Sequence, residues 1–440
     1  MIGYQQEHKS LTREQKEAVG LLSIGTFLEY FDLMLYVHMA VLLNELFFQS
    51  ANSLTASLNT ALAFCSTYVL RPLGALIFGW IGDNIGRKVT VVVTTTMMSI
   101  SCVVMATLPT YAEIGITASI LVTICRMVQG MSSMGEVIGA EIYVTEITKP
   151  PVQYPAVSMI TIFSSLGGFA ALGVASLAIK QNFNWRYAFW AGAGIALVGS
   201  IARTKLRETP DFANAKSRLK NIIKKAGFNN DSIESNPIVQ EKVKIKSSIS
   251  LFLIQCAWPV CFYFIYFHCS NILKSSFGYS GEQIVDHNFI ISIVQVLSFI
   301  IWTYLSCYIY PLILLKVKLI IFSVIVLIFP YLLNNLSSPS DLLILQLVTI
   351  MFSLSYSSAM PIFYKHFPVF KRFTYASFLY ALSRAFNVIT SFGLVYLTDY
   401  FGNYGILIVI VPTILGFAFG LNHFGNLEKE VGNYPQRDLN

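Results

Sequence analysis

A chain of 440 residues that is 55% hydrophobic and only 12% charged has too little polar surface for an ordinary water-soluble domain, which excludes most soluble enzymes. Its net charge of +7 does not signal nucleic acid, because the 30 lysines and arginines fall in short clusters between apolar runs rather than along one stripe. The composition is that of a membrane protein.

A spanning helix needs about 20 apolar residues to cross a hydrocarbon core of about 30 Å. By that ruler the chain holds about twelve spans, near 18–43, 56–80, 89–108, 112–138, 155–179, 186–203, 248–270, 284–306, 312–333, 341–361, 374–398 and 404–424. The runs are continuous, whereas barrel strands would alternate in polarity over about ten residues. They predict an all-α polytopic protein. The residues before the first run are polar and mixed in charge, so no cleavable signal is expected.

The first span carries Glu29 and Asp32 three residues apart and Tyr36 four further on, which places all three on one helical face. Two carboxylates this close repel when both are ionised, which suits one of them to take and release a proton. The bland alternative is neutralisation by a buried arginine for packing alone. In the second span Arg71 precedes Asp83 by 12 residues, about 18 Å along a helix and hence near the midplane. It cannot lose its proton and must face a carboxylate of the protein or of a substrate. The span ends in "GWIGDNIGRK", where Gly79 and Gly86 permit close approach and a tight turn while Asp83, Arg87 and Lys88 stand charged at the interface. Such a loop can latch one conformation of a two-state machine. On the fourth span Arg126, Gln129, Ser133 and Glu136 share a polar stripe expected to face a cavity. A structural ion pair between helices is the equal alternative for Arg126 and Glu136, and Glu141 lies toward the boundary.

Between about 204 and 247 runs a polar stretch rich in basic residues. Its part from Phe212 to Lys225 predicts either an amphipathic helix on the anionic leaflet or a solvated linker. It separates six spans from six. If the N-terminus is cytoplasmic, that side receives Lys9, Arg13, Lys16, Arg87, Lys88, Lys149, the cluster from Arg203 to Lys246, Lys316, Lys318, Lys365, Lys371 and Arg372, against Lys180, Arg186 and Lys274 opposite. This imbalance predicts cytoplasmic termini and a cytoplasmic linker. In the eleventh span Arg384 either faces the cavity as a third arginine, favouring an anionic substrate, or pairs with a residue such as Asp399. Tyr30, Tyr263, Tyr266, Phe267 and Tyr356 either cage a quaternary ammonium or pack as ordinary aromatics. Seven cysteines form no CxxC pair and no metal-ligand spacing with histidine, so no metal is expected. There is no GxxxxGK(S/T) loop for nucleotide and no nucleophile with a neighbouring base.

With its position after the second span, the 79–88 loop resembles the signature loop of the major facilitator superfamily, GxxxD(R/K)xGR(K/R), with Asn84 in place of a basic residue, a departure that predicts a weaker latch. "GTFLEYFDLMLYV" from Gly25, "RPLG" from Arg71, "RMVQGMSSMGE" from Arg126, and "NWRYAF" followed by "RTKLRETPDF" narrow the resemblance to its metabolite:H+ symporter family. Met134 and Ala188 depart from that pattern. The C-terminal half resembles it less: "YLSCYIYPLILLKVK" stands where a second loop signature is expected, and "RAFNVITSFG" where relatives have a Gly-Gly-Thr-x-Pro element. The resemblance implies two pseudo-symmetric six-helix bundles, with an N-terminal bundle over 1–203, a linker over 204–247, a C-terminal bundle over 248–425 and a tail over 426–440.

It also implies proton-coupled symport of a small polar solute such as proline or betaine, in a bacterial inner membrane, by a monomer needing no cofactor beyond the proton gradient. Asp32, Glu29 and Glu136 are the expected proton-coupling groups, and Arg71, Arg126, Tyr36, Gln129 and Arg384 the expected substrate contacts. Gly79, Asp83, Gly86, Arg87 and Lys88 are the expected gate. The alternatives are a dicarboxylate or oxoacid symporter and, outside transport, a non-transporting sensor or remnant.

Overall fold

A computed structural model of the chain describes residues 10–39, 43, 46–48, 70–181, 184–204, 206–217 and 241–435. Twelve helical segments among them follow the twelve apolar runs. They are α1 (Arg13–His38), α2 (Arg71–Asn84), α3 (Arg87–Thr107), α4 (Ile116–Ile147), α5 (Gln153–Gln181), α6 (Trp185–Arg203), α7 (Ile245–Phe277), α8 (Gly281–Ser306), α9 (Pro311–Asn334), α10 (Pro339–Met351), α11 (Val369–Phe401) and α12 (Gly405–Glu430). Eight stretches are long and apolar enough to cross a bilayer by length and composition. Residues 56–69 of the predicted second span, and Cys65 with them, lie outside the described residues. Outward-facing Ile320, Leu327 and Tyr331 on α9, each more than 60% exposed, have the apolar character that a lipid-facing surface requires.

Two spans depart from regular helix. The tenth ends as α10 at Met351 and resumes, after an irregular stretch over 352–356, as a short 3-10 turn and a helix over Met360–Lys365. The sequence "FSLSYSS" there offers hydroxyls that compete for backbone groups, and Pro361 has no N–H to continue a helix from behind. α7 contains a π-helical turn over Phe264–His268, a few residues after Pro259.

Within the first half α1 packs on α5, α3 on α4 and α6, and α2 on α4; within the second α7 packs on α11 and α12, α8 on α10, and α9 on α12. The halves meet chiefly through α2 against α11 and α5 against α8. Glycine makes the first of these contacts possible: a Cβ on Gly79 would stand 2.6 Å from Thr374 Cα, and one on Gly82 would enter the Phe373 ring. Gly79→Ala is therefore expected to prise α2 from α11, with an overpacking cost of about 1–3 kcal/mol. Spin labels at positions 84 and 371 should report a longer distance in that variant, and an unchanged distance distribution would refute the close-packing role.

Candidate functional site

Glu29, Asp32 and Tyr36 are buried on one face of α1, as their spacing predicts. Glu29 and Asp32 line a small pocket with Arg71 of α2, Met98 of α3, and Arg126, Gln129 and Ser133 of α4. Asp32 Oδ2 lies 3.6 Å from Arg126 Nη1, and the Cys102 thiol approaches Asp32 Oδ1 at 3.6 Å. The Arg126 guanidinium stacks over the Tyr36 ring at 4.2 Å and donates to Gln129 Oε1 at 2.9 Å. Glu29 instead faces Arg71 and Ser133. The two carboxylates are thus matched to separate arginines, rather than forming the mutually repelling pair that their spacing alone suggests. Glu29 Oε2 and Gln129 Nε2 make no hydrogen bond among the described residues. They present one acceptor and one donor to the pocket.

Glu136, on the same stripe of α4, turns elsewhere. It forms an ion pair with Arg203 at the end of α6 and accepts from the Thr95 hydroxyl at 2.8 Å and the Thr94 hydroxyl at 3.3 Å. Arg203, fully buried, also donates to the carbonyls of Leu21 and Leu22 at 3.1 and 2.9 Å. Any side chain at Gly25 would displace this pair, a physical reason for the glycine that opens "GTFLEY". Arg203 is counted with the solvated basic cluster in the sequence reading; the structure places it instead in a four-helix polar knot, because Glu136 needs a cation.

The 79–88 loop closes the end of the molecule where the linker attaches. Asp83 accepts from the backbone N–H groups of Phe373 and Thr374 on α11 at 3.0 and 2.8 Å, and Arg87 donates to Val369 O at 2.6 Å. Arg87 also holds Asp83 at 3.2 Å and Glu146 at 3.2 Å. Gly86, at φ 155°, passes close beside the Glu208 carboxylate, which accepts from Arg87 N at 3.1 Å. Lys88 is half-buried at the start of α3. Asn84 faces outward and bonds Trp80 O at 2.9 Å, so its departure from the loop pattern leaves these contacts intact.

Sequence reasoning missed the hub of this latch. Glu146 joins Arg87 to Arg372 of α11 at 2.8 Å and accepts from Thr209 of the linker at 2.5 Å. It escaped because α4 runs nine residues past the predicted end at 138. The linker's first turn is also part of the latch: Phe212 is 1% exposed, beneath the Arg87 guanidinium at 4.8 Å and edge-on to Phe370 at 5.9 Å. The described part of that stretch is helical over 210–217 and turns Phe212 inward; residues 218–225 lie outside the described residues. Glu141 accepts from Tyr364 across the halves at 2.6 Å. Where a second charged loop is absent, Tyr310 donates to Glu428 at 2.7 Å, His366 meets the same carboxylate at 2.8 Å, and Lys365 donates to Gln153 at 2.7 Å.

Arg384 is half-buried with its guanidinium 4.3 Å over the Tyr380 ring, whose hydroxyl meets that of Tyr30 at 3.3 Å. Asp399 lies 15 residues further along α11, about 22 Å away, so the two do not pair. The aromatics do not form one cage: Tyr30 and Tyr356 surround Arg384, Tyr266 donates to Gln295 at 2.7 Å, and Tyr263 stacks on Phe267 at 5.5 Å.

A polytopic helical protein with arginine–carboxylate pairs sunk inside its first half, and a charged latch between halves, has the build of a membrane carrier. The family model described as Major Facilitator Superfamily matches residues 22–378, and the chain belongs to that superfamily. It is 29% identical over 281 residues to the proline/betaine transporter of Salmonella typhimurium (61% of this chain, 55% of that one). It is 34% identical over 230 residues to an inner membrane metabolite transport protein of Escherichia coli (50% and 52%), and 31% identical over 215 residues to the ectoine/proline transporter of Corynebacterium glutamicum (46% and 42%). The chain thus spans about half the length of these curated relatives. The fold is shared with the proton:xylose symporter XylE at TM-score 0.76 and 14% identity, over 93% of this chain and 96% of that one.

Proposed function

We propose that the protein is a monomeric, cofactor-independent symporter that carries a small zwitterionic solute of the proline or betaine class with a proton, across a bacterial inner membrane. The observation that carries this reading is the buried Asp32–Arg126 pair in a pocket with an available donor and acceptor. Glu29 and Asp32 balance Arg71 and Arg126 in charge, so the pocket is neutral until a proton enters. Protonating Asp32 removes the counter-charge of Arg126, which then attracts the carboxylate of a solute. A zwitterion satisfies that single vacancy; a dianion would need a second cation. The linker end is cytoplasmic by the excess of basic residues there, with the linker over 204–247 dividing the bundles, and the Asp83–Arg87–Glu146 latch opens when the bundles rock.

Proteoliposomes with an imposed inward proton gradient, offered labelled proline, betaine, α-ketoglutarate, citrate and shikimate, test the reading. Accumulation of proline or betaine is expected. Uptake of an oxoacid that Arg384→Ala abolishes would establish the anionic alternative, and no uptake of any solute by folded protein would favour the non-transporting one.

A further inference from the structure

Lys318 is counted among the surface cations when the sequence is read for orientation, yet the structure buries it: seven residues into α9 it is 2% exposed. Its ammonium donates to Ser355 O at 3.1 Å and Ser355 Oγ at 2.5 Å and stands 5.1 Å from the Trp302 ring centre. Among the described residues no carboxylate lies within ion-pair reach of it. A buried ammonium in a membrane span is costly without a counter-charge. Lys318 borders a small pocket whose walls include Ser158, Thr303, Ser355, Ser357 and Ser358. Three of those serines come from the break after α10, and irregular backbone at membrane depth is tolerated where it lines a cavity. Ser158 comes from α5, so the pocket straddles the two halves.

We propose that this pocket binds a small inorganic anion of halide size, held by Lys318 and the Ser355, Ser357 and Ser358 hydroxyls. The donor set favours a spherical ion: one point-charge ammonium with rotatable hydroxyls, and no guanidinium fork to match a planar oxyanion. Ser355 accepts from Lys318 and keeps its own proton to donate, whereas Ser158 already donates to Tyr154 O at 3.0 Å and serves as wall. The site is separate from the Asp32 pocket and independent of what is transported.

The test is halide binding by the full chain in nanodiscs of zwitterionic lipid, with gluconate as the background anion. Iodide at the site lies beside Trp302 and should quench its emission saturably, with chloride competing and the saturable part missing from Trp302→Phe. Lys318→Met should raise the half-saturating concentration by about tenfold or more, the loss of one charge-assisted hydrogen bond. Ser357→Ala, which leaves the lysine in place, should raise it in the same direction and serves if Lys318→Met does not fold. Quenching that is linear and unchanged by Trp302→Phe, or saturation that neither Lys318→Met nor Ser357→Ala alters, would overturn the proposal. So would acetate or phosphate displacing iodide more strongly than chloride does.

Discussion

Asp32→Asn protein is expected to reconstitute and bind solute but to concentrate none of it. A gradient of one pH unit is worth about 1.4 kcal/mol per proton, enough to accumulate a neutral solute about tenfold when each molecule enters with one proton. In the variant the ratio should fall to one. The reason lies in the geometry around Arg126. Asparagine keeps the size of Asp32 but neither ionises nor takes up a proton, so Arg126, 3.6 Å away, is permanently released. Exchange of labelled for unlabelled solute needs no net proton movement and should persist. Continued uphill accumulation by Asp32→Asn would remove Asp32 from the coupling step. Glu136→Gln is the informative companion: its partner Arg203 lies in the four-helix knot, so its expected effect is on folding yield.

Glu146→Ala is expected to produce the largest loss of stability at the linker end. It removes the carboxylate between Arg87 and Arg372, both at most 5% exposed, and leaves Arg87 only Asp83 and Arg372 only Asp211 at 3.7 Å as carboxylate partners. Breaking a buried pair by deleting one partner costs about 3–5 kcal/mol, a shift of at least a hundredfold against the closed arrangement. The melting temperature in detergent should fall. Replacing Arg372 by methionine in the same chain should recover part of the loss, because a single arginine then retains Asp83. Equal stability of the single and double variants would show that Glu146 does not work as the bridge. Unlike Gly79→Ala, which acts by bulk, this defect should respond to charge reversal of its partners.

The same contacts give chemical meaning to the sequence motifs. The glycine of "GTFLEY" makes room for the Arg203–Glu136 pair, and the "RETPDF" segment contributes Glu208, Thr209 and Phe212 to the latch around Arg87. The start of the linker and the 79–88 loop are therefore held by shared contacts. A movement of α11 that frees Asp83 also loosens the start of the linker, through the shared carboxylate of Glu146.

Local pattern alone determined the twelve helical runs, the burial of Glu29, Asp32 and Tyr36 on one face of α1, and the loop that closes against α11. These follow from hydropathy and from the 3.6-residue turn, both properties of a short stretch of chain. Tertiary structure decided the partners. It sent Asp32 to Arg126 but Glu29 to Arg71, drew Arg203 inward to Glu136, placed Glu146 between two arginines, and buried Lys318 among serines. A buried charge is tolerable only with a complement, and the complement here comes from helices tens to hundreds of residues away. Its identity is therefore set by which helices pack together, which no local spacing encodes.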